Sequence, residues 1–191
     1  MQFAEHHCHT HFSALDGVST ADDYMKRAKE IGVPHITITD HATTAGHADF
    51  LRAGKEHGVS VALGLEGYFS ATDRFDRRPA SKRDDGTSIY NHLGIIAKNE
   101  NGLKNLRAMN RLAGTEGFYS KPRVDFELLE EFKGDLIVLS GCMSGVVSEA
   151  LINNDYEAAK AWAAKFKGLF GDDYYMEVMS HNDPSLTKGH F

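Results

Sequence analysis

Histidines that could bind metal ions are concentrated near the N-terminus, in the segment Glu5–Gly17, EHHCHTHFSALDG. Alternate side chains of a β-strand share a face, so a strand here would place His7 and His9 together, with His11 beyond them. Two imidazoles at that spacing can bind one ion, and imidazole suits zinc, iron or manganese. Cys8 would face the other way and is predicted to pack in the core. An HxH pair alone is weak evidence, because a histidine-rich surface strand has the same pattern.

Four further candidates lie in or directly after apolar runs. His41 follows HITIT, Glu66 lies within VSVALGLEGYF, and His92 begins HLGIIA. A carboxylate buried in such a run must be paired, protonated or metal-bound, because an unpaired buried charge is very costly; a solvent-exposed strand-end glutamate is the alternative. Cys142 follows the apolar run of LIVLSGCMSG, and its alternative role is that of an inert buried thiol. The alternative for His92 is a histidine that caps a loop. Recurrence of the candidates at successive strand ends favours one shared metal site.

The elements that must position these residues alternate along the chain, which indicates βα units around a mainly parallel sheet. Strands are predicted at Phe3–His9, His35–Thr39, Val59–Phe69, His92–Ala97, Asp135–Leu139 and Tyr174–Val178. Helices are predicted at Thr20–Ile31, Gly46–His57, Asn101–Ala113 and Tyr156–Phe170. In parallel α/β folds, active sites form at the carboxyl ends of strands, which is where His41 is predicted to lie. Residues 73–88, DRFDRRPASKRDDGTS, read as a surface excursion, with a solvated loop favoured over a binding element.

Composition indicates a single globular domain over residues 1–191, with 41% hydrophobic and 25% charged residues. No run approaches the ~18 apolar residues of a membrane span, and MQFAEHHCHTH does not resemble a secretory signal. Two distant cysteines do not make a disulfide framework, so a cytoplasmic setting is predicted. The net charge of −6 predicts weak binding to a DNA backbone, whereas 11 histidines in an acidic chain suit a site that collects cations.

Several sequence motifs occur in a recognisable order: HxHTxFSxLDG, ITDH, GLEGYF, NHLGIIAKNENGLKNL, GFYSKPRVD and LSGCMSG. Together they resemble the PHP (polymerase and histidinol phosphatase) domain of bacterial DNA polymerase III alpha subunits, from about Phe3 to Ser180. Three of the motifs, AKNxxGLxNL, GFYxKPRxD and LSGCxSG, favour the polymerase branch of the family over free-standing histidinol phosphatases.

That resemblance implies a distorted (β/α)7 TIM-like barrel around a cluster of up to three divalent metals, with zinc, manganese or iron as the candidates. The residues that match the family's ligands are His7, His9, Asp16, His41, Glu66, His92 and Cys142. The family's closing Asp-x-His motif has no match, since the last residues offer only His181, Asp183 and His190. The barrel is therefore expected to lack its last βα unit, and one or two metals to lack a ligand. Glu177 matches the preceding segment, where no ligand role is expected.

The resemblance also implies a metal-dependent phosphoesterase, which in the polymerases is a 3′-to-5′ exonuclease acting at a DNA 3′ end. Glu66 would bridge two metals, Asp16 would join the ligands, and Arg123 would hold the phosphate, with a surface ion pair as its alternative. Two other functions stay open: a catalytically silent metal-binding module of the polymerase, and a stand-alone small-molecule phosphatase of histidinol phosphatase type. The expected partner is the remainder of an alpha subunit or a chain that completes the barrel.

Overall fold

A computed structural model describes residues 3–78 and 89–179. The strands are β1 Glu5–Cys8, β2 His35–Ile38, β3 Ser60–Phe69, β4 Asn91–Ala97, β5 Arg123–Val124, β6 Leu136–Leu139 and β7 Tyr174–Tyr175. The helices are α1 Ala21–Ile31, α2 His47–His57, α3 Glu100–Thr115, α4 Phe126–Phe132, α5 Val146–Ile152 and α6 Tyr156–Phe170. All the strands predicted from the sequence form, but β1 and β7 are shorter than expected. The elements β5, α4 and α5 were not predicted.

The strands form one sheet in the order β1-β2-β3-β4-β6-β7, and β5 pairs with β3 outside this path. Most pairings are parallel, as predicted, but β4 runs antiparallel to both β3 and β6. The long strand β3 joins the two halves of the sheet. Its first residues pair with β2 from His35↔Ser60 to Ile38↔Leu63, and the rest of the strand pairs with β4.

Two apolar clusters hold helices against the sheet. Helices α1 and α2 pack on β1–β3 through a cluster that includes Cys8, Met25, Ile38, Phe50 and Leu63. A larger cluster joins α3, α4, α5 and α6 to the end of β3 and to the strands beyond it, and includes Phe69, Leu93, Ile95, Leu106 and Phe166. The core position predicted for Cys8 is confirmed, since the residue is 6% exposed and its thiol donates to the Thr37 carbonyl. Because side chains alternate along β1, His7 and His9 are left to face away from this packing.

Local signals explain where the helices begin and end. Thr20 caps α1 in a capping box with Asp23, and Gly32 ends it in the left-handed conformation that glycine adopts without strain. Both ends are marked by residue types that are common at helix boundaries, threonine before the first turn and glycine after the last. Asp125 caps α4 by accepting a hydrogen bond from the Leu128 N–H at 3.1 Å. Helices α4 and α5 have only seven residues each, too few to give a clear 3.6-residue period.

The predicted excursion at 73–88 is anchored at its start. Arg74 is 7% exposed and forms salt bridges with Glu116, Asp125 and Glu127, so this part of the segment is not a solvated loop. Residues 79–88 lie outside the described residues, as do the C-terminal candidates His181, Asp183 and His190. In the part of the chain that the structure describes, no helix combines the length and apolarity needed to cross a bilayer.

Candidate metal centre

Glu66 lies at the centre of a group of histidines that come from two strands, β1 and β4, and from the ends of two strands, β1 and β2. Its side chain is 1% exposed, on β3 near the point where the strand changes partner. Imidazole nitrogens approach its two carboxylate oxygens: His41 Nδ1 at 2.8 Å, His92 Nδ1 at 3.0 Å, His7 Nε2 at 3.2 Å and His9 Nε2 at 3.6 Å. We refer to these five residues as the histidine cluster. The solvent-exposed alternative for Glu66 is wrong.

Backbone pairing places each member of the cluster. His7 and His9 are two residues apart around the end of β1. His41 follows β2 and forms a parallel bridge with Glu66, in which the Ala42 N–H donates to the Glu66 carbonyl at 2.8 Å. His92 lies on β4 opposite Tyr68, two positions along β3 from Glu66. Side chains two residues apart on a strand share a face, so His92 and Glu66 meet.

Three polar atoms at the centre of the cluster lack a hydrogen bond among the described residues. Although four imidazole nitrogens lie at ion-pair distance, neither Glu66 oxygen has a hydrogen-bond partner of acceptable geometry among the described residues, and His41 Nδ1 also has none. His7 Nε2 and His9 Nε2 are only 3.1 Å apart. Zinc binds imidazole nitrogens at about 2.0–2.1 Å, so two nitrogens on one ion lie roughly this close. Carboxylate oxygens and imidazole nitrogens that converge in this way therefore fit divalent metal ions.

Asp16 extends the cluster towards solvent. This residue lies in the loop after β1, is half exposed, and places Oδ2 3.0 Å from His41 Nε2 and 3.8 Å from His9 Nε2. The ligand atoms then form three overlapping groups, each within 4.8 Å: His7–His9–Glu66, His9–Asp16–His41 and His41–Glu66–His92. Because neighbouring groups share residues, the arrangement suits adjacent ions rather than isolated ones.

Cys142 lies at the edge of this arrangement, in the loop after β6. Its Sγ is 3.5 Å from His92 Nδ1, and the Ser144 N–H donates to it at 3.4 Å. Burial, together with the charge of Glu66, raises the pKa of the Cys142 thiol to about 11. A nearby divalent cation acts in the opposite direction, since it favours the thiolate. Cys142 and six predicted ligands, His7, His9, Asp16, His41, Glu66 and His92, line one cavity of about 650 Å³.

Glu177 also reaches the cluster, which the sequence did not predict. It follows β7, and its Oε1 lies 2.6 Å from His7 Nδ1. Burial alone would lower the pKa of His7, but the carboxylates of Glu177 and Glu66 outweigh it and raise the pKa to about 10. The available signal was its place just after a strand, the same feature that identified His41.

A second unpredicted group holds the loop after β1 in place. The carboxylate of Asp40 is fully buried and accepts hydrogen bonds from the Thr10 N–H at 2.6 Å, the Thr10 hydroxyl at 2.7 Å and the Ser13 hydroxyl at 2.7 Å. Ser13 Oγ in turn accepts the His41 N–H at 3.1 Å. Asp40 is therefore saturated by hydrogen bonds and orients the loop that carries Asp16, rather than facing the cavity.

Arg123 is not part of the site, and its prediction as a phosphate clamp needs correction. The residue is 0% exposed, so the surface ion pair is wrong as well. Its guanidinium donates to the carbonyls of Gly117 at 3.1 Å, of Arg74 at 2.7 Å and of Asp76. Guanidinium N–H groups committed to backbone carbonyls in the interior cannot also hold a phosphate.

Comparison with known proteins gives matches over nearly the whole chain. A family model described as PHP domain matches residues 5–181. The DNA polymerase III subunit alpha of Aquifex aeolicus is 43% identical over 183 residues, which is 95% of this chain and 16% of the relative. That of Thermus aquaticus is 35% identical over 190 residues, which is 98% of this chain and 15% of the relative. The chain thus spans about one sixth of the length of these relatives.

Similarity to a solved structure bears on the fold. A crystal structure from Bifidobacterium adolescentis, named as a candidate metal-dependent phosphoesterase, matches with a TM-score of 0.55 at 18% identity, over 98% of this chain and 80% of that one. At this identity the likeness concerns the fold alone. Together with the curled sheet, whose outer strands β1 and β7 lack a second partner among the described residues, it confirms the prediction of an incomplete TIM-like barrel.

Proposed function

The chain belongs to the PHP domain family, and from that premise we propose that it is the PHP domain of a bacterial-type DNA polymerase III alpha subunit, acting as a metal-dependent phosphoesterase. The observation that carries the proposal is the buried Glu66 carboxylate, which is surrounded by imidazole nitrogens and has no hydrogen-bond partner among the described residues. A buried charge left in this condition is costly unless an ion completes it.

The proposed ligands divide the work by position. His7, His9, His41 and His92 would hold the ions through neutral imidazole nitrogens, and Glu66 would span neighbouring ions because it belongs to two of the three ligand groups. Asp16, which is half exposed at the mouth, would hold an ion on the side from which substrate enters. Cys142 would contribute a thiolate beside His92. When bound, the ions would lower the pKa of a coordinated water and neutralise charge on a phosphate.

The types of ligand atom narrow the choice of metal ion. Imidazole with carboxylate suits zinc, manganese and iron, and a thiolate next to His92 favours zinc.

The proposed substrate is a DNA 3′ end, and the proposed activity is that of a 3′-to-5′ exonuclease that serves DNA replication. The remainder of an alpha subunit is the proposed partner, with the cytoplasm as the setting, because the relatives that the chain matches are alpha subunits.

The test measures metal content and hydrolysis on the same preparations. We expect two or more ions per wild-type chain and release of nucleotides from a 3′-labelled oligonucleotide, both lost in Glu66→Gln. Glu56→Gln, an exposed glutamate on α2, is the matched control and should change neither. A wild-type chain without bound metal would contradict the proposal. Turnover of a small phosphomonoester without turnover of DNA would instead favour a small-molecule phosphatase.

A structural role for the metals is the second candidate, and the net charge of −6 favours it, because an acidic surface attracts DNA poorly. In this case the ions would rigidify a module that packs against other polymerase domains. Glu66→Gln would then lower the melting temperature of the metal-loaded protein, while the wild type would show no hydrolysis. Nucleotide release by the wild type, lost in the variant, would exclude a purely structural role.

A further inference from the structure

Glu177 contacts the histidine cluster from outside its ligand groups. Its Oε1 lies 2.6 Å from His7 Nδ1, while the other ring nitrogen, His7 Nε2, faces Glu66 Oε1 at 3.2 Å and His9 Nε2 at 3.1 Å. The ring is thus oriented with one nitrogen towards a carboxylate and the other towards the cavity. When an ion replaces the proton on Nε2, a carboxylate in this position keeps the other ring proton on Nδ1 and holds the ring towards the ion.

The backbone around Glu177 is itself held in place. The Glu177 N–H donates to Ser140 Oγ at 2.9 Å, and the Ser140 N–H donates to the Tyr175 carbonyl at 3.0 Å. Ser140 follows β6 directly, so these bonds continue the pairing of β6 with β7. Glu177 is nearly buried, and its second oxygen, Oε2, has no hydrogen-bond partner among the described residues. His7 is therefore the principal group that compensates this carboxylate.

The contact joins the two ends of the sheet. His7 lies on β1, and Glu177 follows β7, 170 residues later in the chain. These are the outer strands of the sheet path, and neither has a further strand partner in the regions described. The pair of side chains thus joins β1 to the segment after β7, although these two strands do not pair with each other among the described residues.

We infer that Glu177 is a positioning residue for His7, and that metal binding at His7 and the contact that joins β1 to the segment after β7 depend on each other. The inference rests on the proposed metal-binding function. An ion that requires the oriented His7 ring stabilises the contact between His7 and Glu177, and the contact raises the affinity for the ion by the same factor. Glu177 belongs to none of the three ligand groups, so it would act through the His7 ring rather than as a ligand.

The first experiment measures the affinity of the chain for Zn²⁺ by competition with a chelator, and the absorption spectrum of the Co²⁺-loaded protein. Removing a carboxylate that orients a ligand histidine weakens metal affinity by about 10–100-fold, so Glu177→Ala should lose that much. Glu177→Gln should lose less, because its amide oxygen still accepts the Nδ1 proton. Asp173→Asn is the matched control, since this acidic residue lies near β7 but pairs with Lys98. The Co²⁺ spectrum of Glu177→Ala should also change, which loss of stability alone would not cause.

The second measurement is hydrogen exchange of the Ser140 amide, which donates to the β7 strand. Adding Zn²⁺ should slow this exchange in the wild type and have little effect in Glu177→Ala. Equal Zn²⁺ affinity and equal protection in the two proteins would overturn the inference and leave the proposed function intact. If the wild type bound no Zn²⁺, Mn²⁺ or Fe²⁺, the proposed function would fail and this inference with it. Should Glu177→Ala fail to fold, Glu177→Gln replaces it with a smaller expected loss of Zn²⁺ affinity, and an affinity equal to that of the wild type would then overturn the inference.

Discussion

Two buried charged groups adjoin β3, and they differ in how their polar atoms are satisfied. One is the histidine cluster around Glu66. The other, which we call the arginine cluster, lies where β5 pairs with the end of β3 and consists of Arg74, Glu116, Arg123, Asp125 and Glu127. Both contain groups that are costly to bury alone.

The arginine cluster is complete within the chain. Arg123 donates to three backbone carbonyls, and Arg74 pairs with three carboxylates. Asp125 accepts from the Arg74 side chain and main chain and also caps α4. At the histidine cluster, in contrast, both Glu66 oxygens lack a hydrogen bond among the described residues. A buried charge with all its hydrogen bonds made holds the chain together, whereas one surrounded by converging unsatisfied atoms fits a metal-binding site.

The largest expected effect comes from breaking the arginine cluster. Arg123→Met removes the donors for three buried carbonyls, and breaking a buried charged network costs about 3–5 kcal/mol of unfolding free energy. Urea unfolding of metal-free protein measures it, with Arg111→Met on the exposed side of α3 as the control. Metal content of the folded variant should be unchanged. A loss below about 1 kcal/mol would mean that the two clusters do not differ as described.

Removing the charge at the histidine cluster should affect the metal-loaded protein alone. An ion whose free concentration is 100 times its dissociation constant stabilises a protein by about 2.7 kcal/mol. Glu66→Gln should lose roughly this contribution to the unfolding free energy. Without metal, the variant should stay within about 1 kcal/mol of the wild type, because relief of a buried carboxylate offsets the lost attraction to protonated His7. Thermal unfolding with and without Zn²⁺ separates the two states. A large loss in metal-free protein would show that Glu66 is part of the framework.

Asp125→Asn separates charge from capping within the arginine cluster. Asparagine is also a good N-cap, so α4 should keep its first turn while the ion pair with Arg74 is lost. Hydrogen bonds to charged groups contribute about 1.5–3 kcal/mol, and we expect a loss near the lower end of that range. Glu127→Gln is the control, since this partner of Arg74 is mostly exposed and should matter little. Equal effects of the two substitutions would argue against the importance of burial.

His47 is intermediate between the two clusters, because only one of its two ring nitrogens is hydrogen-bonded among the described residues. Its substitution is expected to have the smallest effect on the unfolding free energy. It is 2% exposed, its Nε2 donates to the Gly64 carbonyl at 2.9 Å, and its Nδ1 has no partner among the described residues. Burial lowers the pKa of His47 below 6.5, so the folded protein binds fewer protons here than the unfolded chain. Its contribution to stability is therefore full above pH 6.5 and declines as the pH falls below that value.

The measurement compares the unfolding free energy of His47→Gln with that of the wild type between pH 7.5 and 5. The difference between them should shrink as the pH falls, because glutamine does not titrate. His57→Gln on the same helix is the control, since His57 is partly exposed and pairs with Asp22. A pH-independent difference would contradict the assigned protonation state. Zn²⁺ should not alter the result, because a single unsatisfied nitrogen without converging ligands is not a metal site.

Much of the histidine cluster could be predicted from the sequence because its signals are local. The spacing of His7 and His9, the strand end before His41 and the apolar run around Glu66 all reflect side-chain direction along one strand. Seven predicted ligands line one cavity for this reason. The residues that cap α1 are local signals of the same kind, since a cap depends only on the adjacent turn of the helix.

The sequence by itself determined which residue types stand at the strand ends, and therefore the kind of chemistry available. Only the tertiary structure decided that Arg123 turns into the interior, that β4 runs antiparallel and that Glu177 meets His7 across 170 residues. An arginine side chain is long and can reach several partners, so its position in a motif does not specify which one it binds. Contacts between the edges of a sheet depend on the path of the whole chain, and no local pattern of residues encodes that path.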